Sequence, residues 1–462
     1  MTTFPFHKVR FFYALLFICF CFSSSCQGSP VKEKPPAANT ESSSQKNSKG
    51  KIPLIVLGSF LNTKASYPLS EIRSGIEKGA YYVTADIAEE VKSALGGSRI
   101  PSTIAIDSFV VKKDSSLLIT TLDSVSNLLL SVSVDSISFF KNPESYTFWM
   151  TSDQDSFSFE KEITSYTHTG VTAITRQTGV VVDRIGTDAY LKNVVGLFKG
   201  VDLLHMSNEV SMVEQCYYAQ MKLQFATKKA HFDILTSLGA DIIELTGNHN
   251  LDFGKDAYLN SLEWYRQNQM RYFGGGADVR EAGRPLIIEL KDGAKVAWVG
   301  YNEFCPLGEC AIKGPGAMRY NYEEAKYQID SLKRKAEVSF VLACVQFGET
   351  DSYSPTGSQK KICKELIDSG ADVVIGSQAH QAQEIAIYNG KPIFYGLGNF
   401  LFDQIHRKGV RQAFWLDCYF YKGRIIQFHP VYTYMSEKRI PSLANKQEKE
   451  EIRKAILKPE NF

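Results

Sequence analysis

Along the second half of this chain, short apolar runs end repeatedly in residues that carry chemistry. Val201 to Met206 leads into Asn208-Glu209, Ala240 to Glu244 into Leu245-Thr246-Gly247-Asn248-His249, Val338 to Val345 into Gln346, and Val373 to Gly376 into Gln378 and His380. Runs of this kind read as strands buried on both faces, because a half-exposed strand would alternate polar and apolar residues. Between them the spacing predicts helices over 188–198, 228–238, 255–267, 323–335 and 358–368, and strands over 169–174, 201–206, 241–245, 296–301, 338–345 and 372–375. Gly239 supplies the stop for the second helix. Farther on, 384–388 and 391–395 flank Asn389-Gly390 as a hairpin, followed by strands near 412–420 and 424–428. Alternation first and hairpins later predicts an α/β chain, a sandwich of β-sheets flanked by helices, with the active groups on loops at the strand ends.

The preceding segment has a different texture. From Ile52 to about Phe159 the expected strands are short (116–121, 128–134 and 136–140), with one helix near 85–95 and no catalytic spacing. The polar, acidic stretch 151–163 is the expected boundary between a smaller N-terminal α/β domain (52–163) and a larger one (164–462). At the start, His7, Lys8 and Arg10 precede the apolar run Phe11 to Phe22, which is short for a bilayer span. Ser23-Ser24-Ser25-Cys26 follows and resembles a bacterial lipoprotein signal over residues 1–26, with Cys26 lipidated, although Ser23 stands where such signals carry Leu. Ordinary cleavage near the same point is the other reading, and both export the protein to the cell envelope. Residues 27–51, rich in Pro, Ser, Lys, Asn and Gln, bury too little to fold and read as a flexible linker.

Composition changes this picture little. The 462 residues give room for two or three domains, and 52 Lys and Arg against 50 Asp and Glu give no electrostatic reason to expect a nucleic-acid partner. Cys344 in an apolar strand and Cys363 on a helix read as buried thiols. Cys216, Cys305 and Cys310 lie in loop-like segments, where an oxidising compartment allows one disulfide whose pairing stays open.

The polar strand ends belong to an ordered series: Gly170-Val171-Thr172-Ala173-Ile174-Thr175-Arg176, Ser207-Asn208-Glu209, Gly247-Asn248-His249-Asn250-Leu251-Asp252-Phe253-Gly254, Gln346-Phe347-Gly348, Gly376-Ser377-Gln378-Ala379-His380, and Gly390 through Asn399, Asp403 and Gln404. In content and order it resembles the CapA/PgsA family of bacterial capsule and poly-gamma-glutamate synthesis, over about Thr167 to His429. The resemblance implies a metallophosphoesterase-like fold, in which two divalent ions at strand ends orient a hydroxide for phosphoester cleavage. Carried over by position, it implies Glu209, His249 and His380 as ligands of a divalent metal (Mn, Zn or Fe) and Asn248 and His249 as catalytic residues. Arg176, Asn208, Gln346, Gln378 and Asn399 become substrate-binding positions. For Ile52 to Phe159 the likeness is to part of an extracytoplasmic solute-binding domain.

The departures bear on chemistry. Val171 stands where the family has Asp, and Gln346 and Gln378 stand where it has His; an amide is a weaker ligand than imidazole, so one ion or none is expected rather than two. Taken singly, Asn248 and Asn399 would be turn residues, His249 a satisfied loop histidine, and Glu209 a buried acid compensated by a cation or by Arg176. Asp403 and Gln404 read as loop-fixing residues, Glu349 and Asp351 as solvated carboxylates. Three functions are expected to compete. One is a lipid-anchored hydrolase or transferase, with or without a metal, in synthesis or attachment of an anionic surface polymer, working beside capsule-synthesis membrane proteins. The others are a non-catalytic polymer- or ligand-binding lipoprotein on a degenerate scaffold, and a nutrient-capturing lipoprotein.

Overall fold

The computed structural model describes residues 50–462, apart from 98, 113, 154, 306, 307, 336 and 337. The expected signal, Cys26 and all but the end of the linker lie outside the described residues. Gly50 and Lys51, expected in that linker, open strand Gly50–Pro53, which pairs antiparallel with Trp149–Ser152.

Two sheets form the centre. The eight-stranded one is ordered Arg271–Phe273, Ile242–Glu244, Leu203–Asn208, Thr164–Thr172, Gln412–Tyr421, Arg424–Met435, Pro441–Leu443, with Asn399–Leu401 also paired to Thr164–Thr172. The six-stranded one is ordered Leu286–Glu289, Lys295–Asn302, Phe340–Gln346, Val373–Ser377, Lys391–Phe394, Ile385–Tyr388. The last two strands are the expected hairpin across Asn389-Gly390.

Side chains of a strand alternate between faces, and here both faces are covered. Tyr166, Leu203 and Ile242 from the first sheet share one core with Trp298, Leu342 and Cys344 from the second. The alternate residues Leu204, Met206 and Ile243 pack against Tyr258, Leu262 and Tyr265 of helix Gly254–Gln267. On the far side, Val299, Val341, Ala343 and Val345 pack against Ala325 and Ile329 of helix Tyr322–Arg334 and Ile362 and Cys363 of helix Gly357–Asp368. This coverage explains why every residue of Phe340–Gln346 is buried and why its sequence does not alternate. The mixed α/β expectation therefore holds, with helices outside a pair of sheets. Among the described residues no helix is long and apolar enough to cross a membrane.

Several expected elements differ. The helix over 188–198 is a short helix, Thr187–Leu191, followed by a 3-10 turn, Val195–Phe198. The helix over 228–238 is broken into Lys229–Phe232 and Ile234–Leu238, which ends as expected at Gly239 with φ of 82°. Residues 136–140 form turns rather than a strand, because Asp135 and Ser136, with positive φ of 49° and 68°, fold Ile137 back onto Val134 in one isolated bridge. Several helices were not anticipated, Leu69–Glu77, Arg176–Ile185 and Lys446–Ile456 being the longest. Arg176–Ile185 contains Gly179 and three successive valines, which locally favour a strand, but tertiary packing buries Val181 and Val182 as one helical face. Lys446–Ile456 is mostly charged and buries only Ile452, Arg453 and Ile456.

The N-terminal segment forms a four-stranded sheet ordered Tyr82–Val83, Leu118–Thr120, Ile55–Gly58, Leu130–Ser131, with helices including Leu69–Glu77 and Ala88–Leu95. Its core includes Tyr419, Tyr421 and Ile426 from the long C-terminal hairpin. Polar bonds reinforce the seat: Arg424 Nη1 donates to Val125 O at 2.7 Å, and the Gln427 amide donates to Leu129 O at 3.0 Å and accepts from Ser131 N at 2.8 Å.

Candidate functional site

Parallel strands in close register finish at a common level. Asn208 lies opposite Thr172, Val171 opposite Asn399, and Gln346 is flanked by Asn302 and Ser377. Register therefore gathers loops that are far apart in the chain. Gly247 permits a close approach to the central carboxylate, since a Cβ there would lie 2.9 Å from both Cα and Cγ of Glu209.

Gln346 is the hub. Its Nε2 donates to Glu209 Oε1 at 3.1 Å and to Asn248 Oδ1 at 3.3 Å, and it also contacts the Gln378 amide. With its amide turned over, Gln378 likewise donates to both Glu209 oxygens, at 3.0 and 3.3 Å. The Gln346 Oε1 is buried without a partner among the described residues. Gln378 and His380 hold positive φ of 79° and 54°, uncommon for residues with a Cβ and a form of backbone strain that persists only where surrounding structure enforces it. Burial, above all, raises the Glu209 carboxyl from its ordinary range; His380, His249 and the Gln346 hydrogen bond pull it partly back. Both histidines thus lie within electrostatic reach of Glu209.

Each histidine is oriented by a neighbour. His249 Nδ1 is 2.7 Å from Asp252 Oδ2, which also accepts the Phe225 N–H at 2.7 Å, and the His249 ring lies against Phe225. His249 Nε2 is 3.5 Å from Asn248 Nδ2. His380 Nδ1 is 2.9 Å from Asn399 Oδ1, its Nε2 is 3.7 Å from Glu349 Oε1, and its ring stacks on Phe402.

Other expected substrate contacts have their polar atoms engaged elsewhere. The Asn208 NH2 donates to Val210 O at 3.0 Å and to Tyr265 Oη at 2.6 Å. Asn399 uses Oδ1 on His380 and its NH2 on Val410 O at 3.2 Å. Arg176, with φ of 43°, gives Nε and Nη2 to the Asp403 carboxylate at 3.1 and 2.5 Å and lies over the Phe225 and Phe402 rings. Asp403 also accepts Gln177 N–H at 3.1 Å, the loop-fixing role read from sequence. Asp351 faces Arg407 and His406, and Glu349 is also bonded by Gln404. Cys305 pairs with Cys310, while Cys216 is a buried free thiol.

The donor set does not fit two ions here. Val171 offers no ligand, and the Gln346 amide points an N–H group at the one central carboxylate. Among the described residues, His168, His205, Glu244 and Cys344, buried within the sandwich, have ligand atoms close enough together to hold a metal ion. Burial and then the His205 charge hold His168 well below the usual imidazole range. The signal for this group in the sequence is ionisable residues inside otherwise apolar strands, which a search confined to strand ends passes over.

Comparison with known proteins agrees with the motif series. The bacterial capsule synthesis protein family PGA_cap matches residues 164–404. The capsule biosynthesis protein CapA of Bacillus anthracis is 25% identical over 252 residues, covering 53% of this chain and 61% of that one. The PGA biosynthesis protein CapA of Bacillus subtilis is 24% identical over 249 residues, covering 53% and 65% respectively. This chain thus spans under two thirds of either relative. Among solved structures, an NAD nucleotidase of Haemophilus influenzae aligns with a TM-score of 0.36 and 11% identity over 63% of this chain and 62% of that one, a likeness too low to carry an argument.

Proposed function

The chain belongs to the bacterial capsule synthesis protein family, and from that premise we propose that it is an exported envelope protein that binds an anionic, amide-linked surface polymer of the poly-gamma-glutamate type at the strand-end site. The observation that carries this reading is the amide hub around Glu209, with Gln346 Oε1 buried and without a partner among the described residues. A gamma-glutamyl chain offers an N–H donor and a carboxylate in every unit. The orphaned carbonyl oxygen, shielded from solvent in the structure, matches the donor once the strand-end loops part to admit a chain, since an unmet buried acceptor is costly until a ligand satisfies it. His249 and His380, when protonated, match the carboxylate. The scaffold is read as metallophosphoesterase-like with its two-ion centre lost, and Cys26 as the lipid anchor that keeps it beside capsule-synthesis membrane proteins.

A second reading, a hydrolase or transferase using one Mn, Zn or Fe ion held by Glu209, His249 and His380, is favoured by the fixed orientation that Asp252 and Asn399 give the two imidazoles. Such an ion supplies Lewis acidity and an activated water.

Calorimetric titration separates these. The unsubstituted protein should bind poly-gamma-glutamate oligomers in preference to inorganic polyphosphate, and Gln346→Ala should weaken that binding by roughly tenfold, the worth of one buried hydrogen bond. No binding of the oligomers would sink the first reading. Metal-dependent gamma-glutamyl or phosphodiester cleavage, lost in His249→Ala, would establish the second.

A further inference from the structure

A second cluster lies deeper in the same sandwich. His168, His205 and Glu244 stand on three adjacent strands of the eight-stranded sheet and Cys344 on the facing sheet; one ligand atom from each lies within 4.8 Å of the others, and all four are buried. They continue the inward-facing series of Tyr166, Leu203, Ile242 and Leu342, below the strand ends that carry Glu209, Asn248 and Gln346.

We propose that His168, His205, Glu244 and Cys344 form a closed structural site for a divalent ion of the zinc type, which clamps the two sheets together. Two imidazoles, a carboxylate and a thiolate are a nitrogen, oxygen and sulfur set that suits zinc and not magnesium or calcium. One carboxylate and one thiolate neutralise a divalent cation, so an occupied site leaves no net charge in the interior; an empty one leaves Glu244 a buried acid. Neighbouring groups are arranged as outer partners of metal ligands usually are. Trp298 Nε1 donates to Tyr166 Oη at 3.0 Å, and Tyr166 Oη lies 2.7 Å from His168 Nδ1, which leaves His168 Nε2 to ligate. The Thr246 hydroxyl holds Glu244 Oε1, and Glu244 Oε2 is 3.1 Å from His205 Nε2. His205 Nδ1 is buried without a partner among the described residues. The His168 and His205 rings are stacked with centroids 3.7 Å apart, 13° from parallel. Binding turns one ring out of that stack, because an ion in the plane of one parallel ring cannot lie in the plane of the other. Four protein ligands leave no open position, so the ion is structural, and its burial means that it enters during folding.

The test uses the full chain purified without chelator. Elemental analysis should find about one zinc per chain, kept through dialysis against EDTA in the folded state and released on denaturation. After refolding with Co(II), a thiolate-to-cobalt absorption band should appear in the unsubstituted protein and in Glu209→Gln, and be lost in Cys344→Ser. Absence of both ion and band in the unsubstituted protein overturns the site whether or not polymer binding is found. An ion kept by Cys344→Ser but lost by Glu209→Gln moves it to the strand ends and also overturns the proposal. Should Cys344→Ser not fold, Cys216→Ser, Cys363→Ser and Cys418→Ser, the other free thiols among the described residues, must each retain the band; its loss in one of them assigns the ion elsewhere.

Discussion

Amides rather than imidazoles at Gln346 and Gln378 decide what Glu209 faces. An imidazole nitrogen can share a cation with a carboxylate, whereas an amide NH2 donates to that carboxylate directly. The acid is then held by hydrogen bonds in a buried setting that still raises its pKa. The folded protein retains this proton where the unfolded chain has already released it. Stability is therefore lost as pH rises from the ordinary carboxylate range through the raised folded value, and stays lower above it. Glu209→Gln removes that dependence. It should raise the melting temperature at neutral pH by a few degrees and leave it nearly unchanged below the carboxylate range, while weakening polymer binding, a stability gain taken at a functional position. Thermal denaturation across pH checks this, and an unchanged or lower neutral melting temperature contradicts it. The motif series, carried over by resemblance, made Glu209, Asn248, His249 and His380 legible as a group. It did not reveal that Asn208 turns to Tyr265 or that Asn399 orients His380, because side-chain direction is set by packing.

At the scale of elements, the buried strands were readable because coverage of both faces leaves an unbroken apolar run, and helices such as Gly254–Gln267 because one face repeats Tyr258, Leu262 and Tyr265. Helix Lys446–Ile456 shows the converse. Its charged sequence offers few apolar residues, yet Asn445 and Glu448 form a reciprocal capping box, with Asn445 Oδ1 accepting Glu448 N–H at 3.0 Å and Glu448 Oε2 accepting Asn445 N–H at 2.8 Å. Asn445→Ala should cost about 1 kcal/mol of stability, read by denaturant unfolding, with polymer affinity unchanged. The same helix sends Arg453 to Phe60 O and Asn62 O at 3.4 and 2.9 Å, so its loosening should be felt in the N-terminal segment as well.

For the whole molecule, the expected division at 163 is crossed by one core. Tyr419, Tyr421 and Ile426 complete the packing around Leu54 to Ile163, and excising residues 50–163 would uncover them on the long hairpin. A 164–462 fragment should therefore bind a hydrophobic dye and self-associate, as judged by fluorescence and light scattering; a monomeric, dye-silent fragment would show that the second segment seals its own core. The sequence by itself determined the buried strands, the polar loops at their ends, and the weakly or non-ligating residues Val171, Gln346 and Gln378 among them, since these follow from local period and residue identity. Only the tertiary structure decided that Cys305 pairs with Cys310, that Arg176 closes on Asp403, and that His168, His205, Glu244 and Cys344 meet inside the sandwich. Those contacts depend on strand register and on how two sheets face each other, and no local pattern encodes either.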